Sequence, residues 1–500
     1  MGREYPASGW APAVAGYRLR PPVLDPHKRV WSFEEVEPGY SEEEALLEAD
    51  RCLRCPEPRC VQGCPAHNAI PDFIAAIKAR DLEGASDILR RTTDFPGICG
   101  RVCDKGRQCE GSCVLGQEGG DATAIGHLER FVADWELRSG HRLARAGERK
   151  PLTGRRVAVV GSGPSGLAVA GTLASLGHSV VVFEALPVIG GALAWGIPTF
   201  RLPQPVLTAE VDFLRALDVE FRLNARVGVD VGIEELLGDG FAAVFLGAGA
   251  SVPTSAGVPG EDLEGVYNST EFLSLAKLAR VGQNGHWKSP IIGERLAVIG
   301  AGNTAMDVAQ TAVRLSRAEL QELSAKQATM DVAETGMRLG FREVTVVYRR
   351  SEAEMPARHE EIESAREEGV RFRFLSAPIR FLGQGGRLQA MECIEMALSE
   401  PDARGRPVPV PKPGSEFVLE VDTVVMALGY QIDRGLIRSV SGLQTDSSGA
   451  VTIDPQTGRT GRAGLWAGGD VVNGPDTVVR AMVNGRNAAA DIHRYLQSLP

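Results

Sequence analysis

Eight of the nine cysteines of this chain fall between Cys52 and Cys113, in two runs of four. The first, CLRCPEPRCVQGCP, is C-x2-C-x4-C-x3-C with Pro65 directly after Cys64. The second runs from Cys99 through Cys103 and Cys109 to Cys113, spaced C-x3-C-x5-C-x3-C. Thiolates this crowded converge on one small volume only if something binds them, and a cubane does so with one cysteine per iron. Disulfides are the poorer reading, because the N-terminus shows no basic-then-apolar signal segment and intracellular thiols stay reduced. Zinc is the rival, since C-x2-C pairs also suit tetrahedral sulfur sites; the trailing proline and the crowding favour iron–sulfur. Cys393, alone on an alternating apolar run, reads as an inert core thiol.

The 500 residues allow about three domains with ample core. A net charge of −10 argues against a nucleic-acid partner. No apolar run reaches the ~18 residues of a membrane span, so a cytoplasmic location and no membrane partner are expected. Residues 1–40 carry Pro6, Pro12, Pro21, Pro22, Pro26 and Pro38 and read as an extended arm. Ser41 with Glu44 forms a capping box that starts a helix, whose end delivers Cys52 and Cys55. Apolar spacing from Ile70 to Arg90 gives two short helices with a break near Gly84. An all-helical, two-cluster domain is therefore expected over residues 41–140, with little apolar core of its own.

A composition shift follows the charged linker RLARAGERKPLTG. From Arg155 the chain reads as a β-α-β unit: an apolar strand, the loop Gly161, Ser162, Gly163, Pro164, Ser165 and Gly166, a helix, and a second strand ending at Glu184. Three glycines permit the tight turn, the approach of a pyrophosphate and close helix–strand packing, and the acid suits ribose hydroxyls. A second unit starts at Arg295, with Gly300, Gly302, Asn303 and Thr304 in its turn and Ala305 in place of the third glycine. Its next strand ends on Arg349 and Arg350, where a fold binding NADH would place an acid, so NADPH is expected. A polar insertion around residues 316–338 reads as a surface helical excursion, and residues 370–430 as short strands. The C-terminal Gly468–Gly469–Asp470 turn and the long helix after it suit the ribityl or pyrophosphate region of a flavin nucleotide. No cysteine lies between Cys113 and Cys393, which excludes a disulfide reductase of the two-nucleotide type.

The ordered motifs CLRCPEPRCVQGCP, GSGPSGL, GGALAWGIPTFRLP, GAGNTAMD, VYRRSEAEMPA, ALGY and AGGD resemble the small-subunit family of bacterial glutamate synthase. They are also similar to the N-terminal half of dihydropyrimidine dehydrogenase and to large subunits of ferredoxin-dependent NADPH transhydrogenases. The resemblance implies an α/β chain with two Rossmann-like domains, the NADPH domain inserted in the FAD domain, behind a helical iron–sulfur domain. The segments expected are 150–270 and 429–500 for FAD and 271–428 for NADPH, with crossings near Phe245–Ala250 and Ala427–Tyr430. Around the flavin it implies Gly190, Gly191, Leu193, Arg201, Gly469, Asp470 and Thr477; around the second nucleotide, Ala427 and Gly429 beside the arginines. It also implies crossed ligand sets for two 4Fe-4S clusters. Cys52, Cys55, Cys60 and Cys113 hold one, and Cys64, Cys103 and Cys109 the other, with Glu129 as fourth ligand and Cys99 as its rival.

The function so implied is hydride transfer from NADPH to FAD, then single electrons through the clusters to a partner, with no catalytic side chain. That partner is a glutamate synthase large subunit or another electron-accepting flavoprotein. Alternatives are a subunit of a flavin-based transhydrogenase or sulfide dehydrogenase, and a non-enzymatic cluster-bearing module. The arm and cluster domain form the expected docking surface, so deleting residues 1–40 should weaken assembly more than dye reduction.

Overall fold

The computed structural model describes residues 18–281, 294–326, 343–402 and 405–500. The five longest helices ahead of the first strand, among the described residues, are Glu42–Asp50, Ile70–Lys78, Leu82–Arg90, Pro96–Val102 and Ile125–Ser139. The Ser41–Glu44 capping box is formed in both directions. The break between the second and third helices falls at residues 79–81, ahead of Gly84. Asp81 caps the new helix by accepting the Gly84 N–H at 2.9 Å, and Arg80 takes a left-handed turn at φ 58°. Phe73, Ile74, Ile77, Leu89, Ile98 and Leu128 are buried here, in one apolar cluster that continues into the next unit through Leu167, Leu173 and Leu214. The expectation of a core-poor module is thus corrected: the helical unit shares the core of its neighbour.

Among the described residues fifteen strands follow: β1 (Arg156–Val160), β2 (Ser179–Phe183), β3 (Glu220–Arg222), β4 (Ala243–Leu246), β5 (Val252–Pro253), β6 (Val266–Asn268), β7 (Arg295–Ile299), β8 (Glu343–Val347), β9 (Arg371–Arg373), β10 (Ser376–Gln384), β11 (Arg387–Pro401), β12 (Pro407–Glu420), β13 (Thr423–Met426), β14 (Tyr430–Gln431) and β15 (Leu465–Ala467). One parallel sheet has the order β15-β4-β1-β2-β3 and a second the order β6-β13-β7-β8-β9. The chain leaves the first sheet after β4, builds the second, and returns to pair β15 against β4. The two crossings lie side by side, since β5 and β14 pair antiparallel. Near-continuous Val, Ala and Ile in β1 and β7 match parallel strands covered on both faces.

One expectation changes, and the helical reading of the polar insertion holds in its described part. The stretch 370–430 is dominated by the long antiparallel sheet β10–β11–β12, with strands of 9, 15 and 14 residues. The polar segment after Val313 begins as a direct continuation of the helix Asn303–Lys326; its remainder, 327–342, lies outside the described residues.

The described part of the arm, 18–40, is not a free extension. It contains a helical turn at Pro26–Arg29, and Arg29 is 2 % exposed. Its guanidinium reaches Glu368 (Nε–Oε1 2.7 Å), Glu367 and Ser364 on the helix His359–Glu367 and just beyond it. Arg314 and Gln310 donate to the same buried Glu368. Val30 joins the core of the second sheet unit, while Arg18 pairs with Glu110 of the helical unit. The described part of the arm is a strap, so deleting residues 1–40 would also strip contacts from the second nucleotide unit; residues 1–17 lie outside the described set.

Candidate functional site

The cysteines divide in space as they do under the crossed pairing. Cys52, Cys55, Cys60 and Cys113 line one pocket with Ile70, Ile74 and Ile125. Leu53, beside them, is 57 % exposed, so this pocket opens to solvent. Cys64, Cys99, Cys103, Cys109 and Glu129 form a second group whose charges act on one another. Burial pushes the Cys60 and Cys64 thiols up to about 11, with neighbouring thiolates and, at Cys64, Glu129 adding to it. A donor set of close, desolvated thiols disfavours its own ionisation, and bound cationic iron reverses that. In chemical type the donors suit two clusters, although among the described residues no three of them lie close enough together to hold a single metal ion. The second group holds five where four are needed: Cys99 is hydrogen-bonded with Cys103, whereas Glu129 has one buried oxygen with no partner. Burial pushes the Glu129 carboxyl up to about 8.

At the end of β1 the three glycines separate by role. A Cβ on Gly161 (φ 92°) would sit 2.5 Å from the Gly247 carbonyl oxygen, and one on Gly166 only 2.0 Å from that of Gly161. A Cβ on Gly163 would meet nothing within 4 Å. That opening lies at the N-terminus of the helix Pro164–Ser175, the polarity an anionic pyrophosphate needs. Ser162 ties the site together: its N–H and hydroxyl donate to Glu184, and its oxygen accepts from Gly190 N–H at 2.9 Å. Ser165 and Leu193 are buried and Gly191 packs against Gly163. Opposite stand Gly469, Asp470, whose carboxyl burial pushes up to about 6, and Thr477, the N-cap residue of the helix Val478–Ser498. The Thr477 hydroxyl is buried without a partner. An open cradle and an orphaned hydroxyl are what a flavin nucleotide would fill and satisfy.

The second turn repeats the plan. A Cβ on Gly300 (φ 127°) would lie 2.4 Å from the Ala427 oxygen, while Gly302 faces open space with Pro356 Cγ nearest at 3.9 Å. Asn303 and Thr304 open the helix, and the Asn303 side chain accepts the Arg358 N–H at 2.9 Å. A Cβ on Gly429 would likewise meet nothing within 4 Å. Beyond β8, Arg349 is exposed, whereas Arg350 is half-buried and donates to the Pro407 carbonyl at 2.9 Å. Arg349 is therefore the freer of the two to reach a 2′-phosphate.

Arg201 is held by two carboxylates. Its Nη1 donates to both oxygens of Asp307 (2.7 and 2.8 Å), and its Nε lies 3.3 Å from Glu361. Glu361 also pairs with Arg358, whose guanidinium donates to the Cys103 carbonyl at 3.1 Å. Three units meet at this cluster of charges, which sequence reading missed. The only available signal was the presence of Asp307 inside one quoted motif and of Arg358 directly after another, and it carried no information about partners. Cys393 is fully buried on β11, and burial pushes its thiol up to about 12, as an inert core position requires.

Residues 29–141 match the family model for dihydropyrimidine dehydrogenase domain II, 4Fe-4S cluster, and residues 155–485 that for pyridine nucleotide-disulphide oxidoreductase. The glutamate synthase [NADPH] small chain of Escherichia coli K12 is 36% identical over 488 residues, covering 96% of this chain and 97% of that one. The NADP(+)-dependent formate dehydrogenase subunit beta of Moorella thermoacetica is 38% identical over 88% of this chain and 60% of its own length. Among solved structures, FprA of Mycobacterium tuberculosis in complex with NADPH superposes with a TM-score of 0.53 at 21% identity, over 70% of this chain and 85% of that one, a likeness of fold. Among the described residues no helix is long and apolar enough to cross a membrane.

Proposed function

Because the chain belongs to the family of NADPH-dependent iron–sulfur flavoprotein oxidoreductases that includes the glutamate synthase small chain, we propose that it is the NADPH-oxidising electron-transfer subunit of a glutamate synthase. The observation that carries this reading is the pairing of two separate thiol groups with two open glycine turns on one chain. When bound, FAD would supply an acceptor for hydride from NADPH, and two 4Fe-4S clusters would supply one-electron transfer.

The chain's own residues bind and position. Gly163 leaves room for the flavin's pyrophosphate, Glu184 presents its carboxylate to ribose, and Asp470 and Thr477 close the far side. Gly302, Asn303, Thr304 and Arg349 hold NADPH. Arg201, joined to Asp307, fixes the relation of the two nucleotide units beside the flavin. Cys52, Cys55, Cys60 and Cys113 hold the outer cluster, and Cys64, Cys103, Cys109 and Glu129 the inner one. The solvent-facing side of the Cys52 pocket, around Leu53, is where electrons leave for the partner. The small chain is matched over 97% of its length and the formate dehydrogenase subunit over 60%, which supports the first as the guide to the assembly.

Purified anaerobically, the chain should reduce ferricyanide with NADPH and make no product from glutamine and 2-oxoglutarate. Adding a glutamate synthase large subunit from the same source should give a complex and NADPH-dependent glutamate formation. Absence of a complex, with ferredoxin-linked transhydrogenation beside another flavoprotein, would replace this reading with the transhydrogenase one.

A further inference from the structure

The second glycine turn and the inner group of thiols meet on one short loop. This loop, Met355–Arg358, lies in the connection from β8 to the helix His359–Glu367, and its residues alternate. Met355 and Ala357 are buried in the core of the second nucleotide unit, which leaves Pro356 and Arg358 to face other elements.

The turn assigned to NADPH holds the loop by its backbone. Asn303 Oδ1 accepts the Arg358 N–H at 2.9 Å, and the Ala301 carbonyl accepts the Ala357 N–H at 3.2 Å. Pro356 Cγ is also the nearest atom to a Cβ placed on Gly302, at 3.9 Å. The helical unit reaches the same loop. Arg107 Nη1 donates to the Pro356 carbonyl at 3.2 Å, and Arg358 Nη1 donates to the carbonyls of Cys103 at 3.1 Å and Arg101 at 3.4 Å. Those two carbonyls lie at the C-terminal end of the helix Pro96–Val102, which carries Cys99 and delivers Cys103. The last carbonyls of a helix have no partner within it, and a cation placed on them is favourable. Arg358 Nη2 is taken by Glu361. The Arg358 side chain is 10 % exposed and that of Arg107 is 63 %, so the charge of Arg358 is much the less screened.

Hydrogen bonds and net charge around its ligands set how readily an iron–sulfur cluster takes an electron. A buried cation on the backbone of a ligating cysteine favours the reduced, more negative state. We propose that Arg358 is a positioning residue that seats the inner-cluster loop on the NADPH-binding turn, eases reduction of that cluster, and makes the cluster sense whether the turn is occupied. Its N–H is fixed by the turn and its guanidinium by the cysteine loop, so a shift at Asn303 reaches the Cys103 carbonyl through a single residue. The proposal rests on the assignment of Cys103 to iron and of Gly302 and Asn303 to NADPH.

The test is a dithionite redox titration of the anaerobic holoprotein followed by electron paramagnetic resonance. The inner cluster is the one whose signal Cys109→Ser alters or removes. Arg358→Met keeps a long apolar stem and loses the charge and the donors. It should lower the equilibrium constant for one-electron reduction of the inner cluster about 10-fold, a potential ~59 mV more negative, and leave the outer cluster within ~3-fold. Arg358→Lys restores the charge and should return the inner cluster to within ~3-fold of the parent. Arg107→Gln, at the exposed contact, should move it less than ~3-fold. The parent carries a second test with 2′-phospho-ADP-ribose, which fills the turn and has no nicotinamide to accept hydride. At saturation it should change the inner-cluster line shape in the parent and leave Arg358→Met unchanged. Retained iron, FAD and melting temperature separate loss of the role from loss of the fold. An unmoved inner potential in Arg358→Met, equal shifts of both clusters, an Arg107→Gln effect as large, no return in Arg358→Lys, or a parent signal indifferent to the analogue would each overturn the proposal. A parent with no cluster signal, or one that does not bind the analogue, would refute the cofactor reading and this role with it; intact signals and binding beside an unmoved potential refute the role of Arg358 alone.

Discussion

Gly163→Ala and Gly166→Ala differ by one methyl each and three residues in position, yet they should fail in opposite ways. At Gly166 the added methyl meets the Gly161 carbonyl oxygen at 2.0 Å, backbone against backbone, with no flexible side chain to give way. Overpacking of that kind costs about 1–3 kcal/mol or more and acts with or without flavin. At Gly163 the backbone has φ −68° and ψ 179°, which alanine adopts freely, and the methyl meets no protein atom within 4 Å. The FAD-stripped protein should therefore keep its stability to within about 0.5 kcal/mol. The methyl instead occupies the opening assigned to the pyrophosphate. Losing one charge-assisted hydrogen bond from backbone N–H costs about 1.5–3 kcal/mol, or a roughly 10- to 150-fold weaker FAD Kd. The assay is flavin fluorescence quenching on reconstitution beside thermal melting of the stripped protein. If Gly163→Ala binds FAD as tightly as the parent, or melts as early as Gly166→Ala, the cradle is misassigned.

Arg349→Ala should raise the NADPH KM at least ~10-fold and leave NADH turnover unchanged; equal use of both nucleotides by the parent protein would show that the arginine is only surface charge. Glu368→Gln leaves buried Arg314 without a counter-charge and Arg29 with only the half-exposed Glu367, and should cost about 3–5 kcal/mol in urea unfolding. Arg29→Met should cost less, because Glu368 keeps Arg314, and the reverse ranking would refute the strap's role. Burial and the neighbouring His493 draw His178 down to about 4, below its ordinary 6.5, so its contribution to stability is present above pH 6.5 and is lost as pH falls toward 4. His178→Gln should flatten the fall in melting temperature over that window, and an unchanged slope would exclude His178 as its source. For the inner cluster, Glu129→Ala should alter its spectrum and potential while Cys99→Ala leaves them native; loss of the cluster from Cys99→Ala alone would make Cys99 the ligand.

What could be read in advance was local. The strand, glycine turn, helix and acid from Arg156 to Glu184 lie within thirty residues, and each piece has its own sequence rule. The Ser41–Glu44 box is likewise complete in four residues. The strap was illegible because Arg29 meets Glu368 across the length of the chain, and proline content alone suggests an extended segment. The carboxylate partners of Arg201 were illegible for a related reason. Its motif neighbours pack near the flavin cradle, but its own guanidinium turns to Asp307 on another unit. The break at residues 79–81 was misplaced at Gly84 because glycine was given more weight than the capping power of Asp81.

The first sheet has a history that its finished form conceals. β4 is fully buried, with β1 on one edge and β15 on the other, yet β15 is made only after residue 464. During synthesis at ~5–20 residues per second, Val244 and Phe245 wait roughly ten to forty-five seconds for that neighbour. The second sheet, whose last strand ends at Met426, can close within the wait. Until then β4 presents an apolar open edge, the feature that recruits strands from other chains. A ribosome stalled short of Leu465 would hold one complete nucleotide unit and one adhesive half, so aggregation, more than missing chemistry, should be the fate of C-terminally truncated copies.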